Sequence, residues 1–182
     1  SALFDSTYIY TQRFQPCWGY TTAAPNSLAA TSACSGTTTT GTILDLKYTF
    51  NVSPRNNGNV AGITNNRDTT RSQAFTYDSL NRISTAQTTS TFSNSPANCW
   101  GESFHYDQLG NFLSIGVSSS SYTGCTQQSL SILVNGSNQI SSPTGYVYDA
   151  DGNLTTVPAP GAASYTYNAE NEMTSTATAG VN

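Results

Sequence analysis

The chain has 182 residues, a length that suits one domain or one continuous piece of a repeat array. Charged residues make up only 9% and the formal net charge is -4, so no basic patch exists to hold phosphates and nucleic-acid binding is disfavoured. One Lys, one Met and no apolar period of three and four leave little to build helices from, whereas Ser, Thr, Gly, Asn and Tyr suit strands and turns. The fold class expected is all-β.

No apolar run reaches the length of a membrane span, and none follows a basic start. The chain opens at Ser1 rather than Met, which reads as a mature product or a fragment.

In chain order, Tyr8-Ile9-Tyr10 followed by Arg13-Phe14-Gln15-Pro16 reads as a first hairpin, with Phe14 on its second strand. Pro16, Cys17, Trp18 and Tyr20 then read as an aromatic knot opening an insertion over about 17–42. Its remainder is mostly Ala, Ser, Thr and Gly, a surface loop ending in Thr37–Thr40 that suits O-linked sugar in an exported protein. Ile43, Leu44, Leu46, Tyr48 and Phe50 mostly alternate and predict a strand, with a turn over Pro54–Gly58 and a return over Asn59–Thr64. Residues 65–73 are the most charged stretch and predict a solvated crossover. Ala74–Thr85 holds the next hairpin, its strand running on toward Thr91, before a second insertion at 93–101 with Cys99 and Trp100.

Phe104–Ile115 is another hairpin, and 116–128 a third insertion whose polar Ser118–Tyr122 leads to Cys125. Leu130, Ile132 and Val134 run into Asn135-Gly136, a two-residue turn signal, with Ile140 in the return. The last two hairpins share one phrase: Tyr146, Tyr148, Asp149, Gly152, Asn153, Leu154, then Tyr165, Tyr167, Asn168, Asn171, Met173. Aromatics two apart lie on one strand face, and Asp accepts a hydrogen bond from the backbone two residues on, while Gly or Asn supplies positive φ.

The same phrase recurs at Phe75, Tyr77, Asp78 and at Phe104, Tyr106, Asp107, Gly110, Asn111, and more loosely at Tyr48, Phe50, Asn51. The second aromatic falls at 10, 50, 77, 106, 148 and 167, at intervals of 40, 27, 29, 42 and 19. A kept phrase with drifting spacing places the insertions in loops between hairpins.

These motifs resemble the YD repeat of the Rhs family, found in bacterial Rhs and wall-associated proteins, insecticidal toxin-complex shells and animal teneurins. Tyr77-Asp78, Tyr106-Asp107 and Tyr148-Asp149 match its defining pair; Tyr167-Asn168 departs at one residue and Phe50-Asn51 at both. The resemblance runs from about Leu44 to Ala177, with its loosest copy at Tyr8 to Pro16, and implies hairpins that spiral into a large shell. A chain of this length implies instead a single curved antiparallel strip or open solenoid over 1–182, not a closed shell.

Four cysteines allow three pairings, and their order along the chain favours Cys17–Cys34 and Cys99–Cys125, each tying the base of an insertion. Such disulfides imply export, and each Trp is expected to pack over its neighbouring bridge. No cofactor is implied, and no cysteine spacing with a nearby histidine suggests a metal. His105 lies inside a strand phrase. Asp149 and Asp151 read as turn residues, Glu170 and Glu172 do not converge, and the DPxG-type sequence of the self-cleaving Rhs site is absent. No enzyme activity is expected.

Three functions remain. The first is an extracellular scaffold assembling head-to-tail with its own copies through uncapped sheet edges. The second is a piece of an Rhs shell that encloses a toxin. The third is a cell-surface module with Trp18, Tyr20 and Trp100 exposed for stacking on glycans.

Overall fold

A computed structural model describes residues 4–23, 34, 41–50, 56–89 and 99–178. It divides into two compact units, Ser1–His105 with Ile115–Gln128, and Tyr106–Ser114 with Ser129–Asn182. The first unit carries β1 (Phe4–Tyr10), β2 (Pro16–Ala23), β3 (Thr42–Phe50), β4 (Val60–Asn65), β5 (Gln73–Tyr77) and β6 (Ile83–Thr88). It also takes most of β7 (Gly101–Tyr106) and the end of β8 (Phe112–Val117). The second unit takes the turn that joins them and adds β9 (Leu130–Ser131), β10 (Leu133–Val134), β11 (Ile140–Ser142), β12 (Val147–Tyr148), β13 (Leu154–Val157), β14 (Ala163–Tyr167) and β15 (Met173–Thr178).

The fold is all-β, with antiparallel sheets of nine, two and four strands, none closed into a barrel. Every strand neighbours its sequence neighbour: β1 to β9 in order, β10 with β11, and β12 to β15 in order. That succession is what hairpins laid side by side produce, because each return strand offers its outer edge to the next hairpin.

Six hairpins narrow to their turns through the same one-residue slip of register. The last pairs are Tyr10↔Pro16, Phe50↔Val60, Tyr77↔Ile83, Val134↔Ile140, Tyr148↔Leu154 and Tyr167↔Met173, and each follows a bulge. A bulge at this point re-aims the closing aromatic and sets the residue after it to cap the turn.

Apolar burial is concentrated in the first unit. Ile9, Cys17, Trp18 and Tyr20 form one cluster, with Cys34 packed against it. The Trp18 and Tyr20 rings lie 4.9 Å apart, and the Lys47 ammonium sits 4.7 Å over the indole. Within the same unit Asp45 is fully buried; its Oδ1 accepts from the Trp18 indole N–H at 2.8 Å and from Asn66 Nδ2 at 2.7 Å. Tyr8 covers the gap left by Gly19, its ring 2.8 Å from where a Cβ would stand, so the aromatic fills a place that no side chain occupies.

Several expectations are corrected here. The first insertion does not begin at residue 17, since β2 keeps the chain in the sheet as far as Ala23. Phe14 is not on the second strand but on the turn itself, at φ 58 and 88% exposed. Asn135-Gly136 is not a two-residue turn: the loop closes one step later, with Asn135 N–H donating to the Gln139 carbonyl. The polar loop at Ser118–Tyr122 ends in a short 3-10 turn whose Tyr122 is buried over Gly101. The Thr37–Thr40 run, the Pro54 turn and most of the second insertion lie outside the described residues.

Candidate functional site

The feature that the molecule repeats is a turn of five positions. Its first residue is a small polar cap whose side-chain oxygen accepts from backbone N–H groups two and four residues on. Asp78 accepts from Leu80 and Arg82 N–H, both at 2.9 Å. Asp107 does so from Leu109 and Asn111, and Asp149 from Asp151 and Asn153. Asn168 accepts in the same way from Glu170 and Glu172. The fourth residue takes positive φ: Asn81 at 62, Gly110 at 94, Gly152 at 90 and Asn171 at 62. Only Gly and a locally bonding Asn adopt that conformation cheaply.

Two further hairpins, expected at Tyr8–Pro16 and after Val134, close on the same capped turn. Thr11 caps Arg13 and Gln15 with Phe14 at φ 58, and Asn135 caps Ser137 and Gln139 with Asn138 at φ 61. The signal was a polar residue after the last paired strand residue, followed three positions on by Asn at 138 but by Phe at 14. Lacking an Asp, and with Val134 in place of an aromatic, it was hidden.

The fifth turn residue answers the cap with the opposite hydrogen-bonding character. Where the cap is an acid, the partner donates: Arg82 Nε to Asp78 at 2.7 Å, Asn111 Nδ2 to Asp107 at 2.7 Å, Asn153 Nδ2 to Asp149 at 3.0 Å. Where the cap is Asn, the partner accepts: Asn168 Nδ2 donates to Glu172 at 2.9 Å and Asn135 Nδ2 to Gln139 at 3.2 Å. The departure from Asp at 168 is therefore matched by a departure at 172.

These bonds hold the capping carboxyls below the usual carboxylate range against the opposing effect of desolvation. At Asp107 and Asp149 the leading cause is the side chain of Asn111 or Asn153; at Asp78 it is the backbone N–H of Arg82.

Neighbouring turns are then tied to each other. The hydroxyl of the closing tyrosine reaches back to the first return residue of the preceding hairpin: Tyr77 donates to the Val60 carbonyl at 2.9 Å and Tyr167 to the Leu154 carbonyl at 3.0 Å. Tyr148 accepts from Ile140 N–H at 3.0 Å. Burial pushes the Tyr77 hydroxyl above its ordinary value, against the lowering effect of that hydrogen bond.

Side-chain amides form a second tie: Asn59 to Asn81 at 3.0 Å, Asn111 to Asn138, and Asn153 to Asn171 at 2.7 Å. The first turn is tied to the next by Arg13 on the Asn56 carbonyl and by paired amides of Gln15 and Asn56.

Tyr48, Phe50, Tyr77, Tyr106, Tyr146, Tyr148, Tyr165 and Tyr167 are half-buried, consistent with aromatics whose bodies pack while their hydroxyls reach polar partners. The Tyr106 and Phe112 rings lie 5.4 Å apart. The disulfides are Cys17–Cys34 and Cys99–Cys125, at Cα separations of 5.5 and 5.1 Å. Trp18 lies in the cluster of its own bridge, as expected. Trp100 engages Thr88 and Thr126 through its backbone.

The expectation of exposed aromatic loops is corrected, because Trp18 and Tyr20 are 3% and 5% exposed and Trp100 is half-buried. A ring sealed in a strand has no free face for a sugar. His105, Asp151, Glu170 and Glu172 are exposed, and Asp149 is committed to its turn. Among the described residues no group of three or more His, Cys, Asp or Glu is placed to hold a metal ion, and no helix is long and apolar enough to cross a membrane.

Comparison with solved structures locates this architecture. The TcdB2–TccC3 crystal structure aligns over 93% of this chain with 20% identity and a TM-score of 0.59. The Photorhabdus luminescens Tc holotoxin pore aligns over 94% with 17% identity and a TM-score of 0.51. The chain has the Rhs-repeat fold. It spans about a tenth of the length of those chains, 9% and 10% respectively. No family model and no curated protein sequence matches. The Rhs-repeat fold is thus legible here from the turn phrase and the strand order while overall identity stays low.

Proposed function

We propose that the chain is a structural, non-catalytic wall segment of an exported Rhs-type shell: a run of YD hairpins whose task is to add edge to edge and hold a continuous sheet. The observation that carries this reading is the tie between hairpins, made by tyrosine hydroxyls at Val60, Ile140 and Leu154 and by the asparagine pairs between turns. Such links hold a sheet together where little apolar area is buried. The likeness in fold to Tc toxin chains supports the same reading. In the complete shell the wall would surround a toxic cargo.

A second reading is head-to-tail assembly of copies into an extracellular fibre. The observation that favours it is that β1 and β15, each at an edge of its sheet, have one side without a strand neighbour among the described residues. Tyr8 and Tyr10 on β1 are 59% and 53% exposed, and all of β15 is exposed. Negative-stain electron microscopy of the isolated chain, with and without reductant, separates the two. Discrete small particles support the wall segment, and regular filaments support the fibre.

A further inference from the structure

The dipeptide Asn-Gly occurs twice in the chain, at Asn57-Gly58 and at Asn135-Gly136, each between the two strands of a hairpin. In this dipeptide the asparagine side chain is open to attack by the next backbone nitrogen, because glycine has no Cβ to stand in the way. The fold treats the two sites differently. At the first, Gly58 N–H donates to the Asn56 side chain at 2.9 Å, and the Asn57 amide donates to Asn81 at 2.7 Å. The attacking nitrogen and the amide to be displaced are therefore both engaged. At the second, both residues are exposed, and no described residue accepts from Gly136 N–H. Nothing stands within 4 Å of where a Cβ on Gly136 would be.

The capping role of Asn135 sets it further apart. Its Oδ1 accepts from the Ser137 and Gln139 N–H groups at 2.9 and 3.0 Å. Attack on Cγ turns that oxygen into an oxyanion, and two fixed backbone donors at this distance are the arrangement that stabilises one. The Asn57 oxygen has a single such donor, the Asn59 N–H at 3.1 Å. We propose that Asn135 is a self-modification site, deamidated to aspartate with the help of its own turn.

The steps balance with water alone. The Gly136 nitrogen gives its proton to solvent and bonds to Cγ of Asn135. The Cγ–Nδ2 bond breaks, and the side-chain amide takes a proton from water and leaves as ammonia. The cyclic imide that remains takes up a water at Cγ, which breaks the bond to the Gly136 nitrogen and restores the backbone with a carboxylate at position 135. The sum is asparagine plus water giving aspartate plus ammonia.

The turn accommodates that product. A carboxylate accepts from the same two N–H groups, as Asp107 and Asp149 do in their turns. Gln139, which accepts from Asn135 Nδ2 at 3.2 Å, carries an amide that turns to donate instead, as Asn111 and Asn153 donate to their caps. The Asn168 turn has neither property, because Ala169 follows the cap and Glu172 opposite it would repel a second carboxylate. Once modified, the turn at 135 carries an acid cap and joins the three Asp turns in loosening at low pH.

The test incubates the full chain at mildly alkaline pH, folded or in guanidinium with both disulfides intact, and follows each asparagine by peptide mapping with mass spectrometry. In the folded chain Asn135 is expected to convert about tenfold or more faster than Asn57, and at least as fast as in denaturant. In denaturant the two rates are expected to converge. Gly136→Ala, whose added methyl has room, is expected to slow conversion at 135 about tenfold or more. Equal rates at the two sites in the folded chain, or no conversion at 135, overturn the inference. Slower conversion at 135 in the folded chain than in denaturant overturns it as well, because the capping donors then protect the amide. An unchanged rate in Gly136→Ala does the same by removing the backbone nitrogen as the attacking group.

Discussion

The strands at the start of the chain and the four-stranded sheet at its end use the same hairpin geometry and are held together by different forces. Around β2 and β3 the chain buries Trp18, Tyr20, Cys17 and a whole carboxylate, Asp45, and closes a disulfide beside them. In β12–β15 the one buried apolar side chain is Ala163, β15 is exposed along its whole length, and the sheet relies on capped turns, the Tyr148 and Tyr167 hydroxyls and the Asn153–Asn171 pair. Its outer face adds hydroxyl pairs, Thr166 with Thr174 and Ser175. The contrast teaches that this repeat tolerates a thin core wherever polar links connect each hairpin to the one before it.

The sharpest way to break the first region is to remove its bridge. Replacing Cys17 and Cys34 together by Ala is expected to cost about 3 kcal/mol by releasing the loop in the unfolded chain, read as a lower denaturant midpoint. Next comes Asp45→Ala, which strands the Trp18 N–H and the Asn66 amide in a buried place and is expected to cost about 2 kcal/mol in the same assay. In the second region single changes are smaller. Asp149→Ala removes an acceptor from two backbone N–H groups and from Asn153, and is expected to lower the denaturant midpoint by less than Asp45→Ala does.

The gentlest probe is pH. Asp78, Asp107 and Asp149 are held below their ordinary values when folded, so the stability they contribute is present above the unfolded carboxyl value of about 3.9. It is lost as pH falls below that value and through the lowered folded ones. The turns capped by Thr11, Asn135 and Asn168 carry no titrating cap, so an acid titration followed by NMR is expected to loosen the three Asp turns first. At the other end, Tyr77 is raised by burial, so its contribution is present below about 10 and fades as pH rises through its higher folded value.

Much of this was readable in the residues. Aromatic-x-aromatic followed by Asp and then Gly-Asn names its own turn, because each residue type answers a local demand that no distant contact alters. The hairpins at Tyr77, Tyr106, Tyr148 and Tyr167 lie in the structure where the phrase put them. What stayed hidden depended on neighbours in space. Asp45 is an unremarkable polar residue in an alternating strand until Trp18 and Asn66 close on it. Trp18 and Tyr20 read as the start of a loop because the residues after them are mostly Ala, Ser, Thr and Gly, yet β3 pairs with their strand and seals them. Tyr122 followed a run of serines and gave no hint that it would lie on Gly101 with its hydroxyl on the Thr88 carbonyl. The capping roles of Thr11 and Asn135 stayed hidden because Thr and Asn accept the same backbone bonds as Asp without the same signature.

The central claim is that tyrosine hydroxyls join one hairpin to the next. It is tested most directly by Tyr167→Phe, which removes a single hydroxyl and leaves the ring in place, with residue-resolved hydrogen exchange across β13 and β14. The account predicts a loss of about 1 kcal/mol in the protection of Leu154–Val157 and Ala163–Tyr167, with the Asn168 turn still formed. Unchanged protection across both strands would contradict it and return the cohesion of the sheet to its ladder bonds alone.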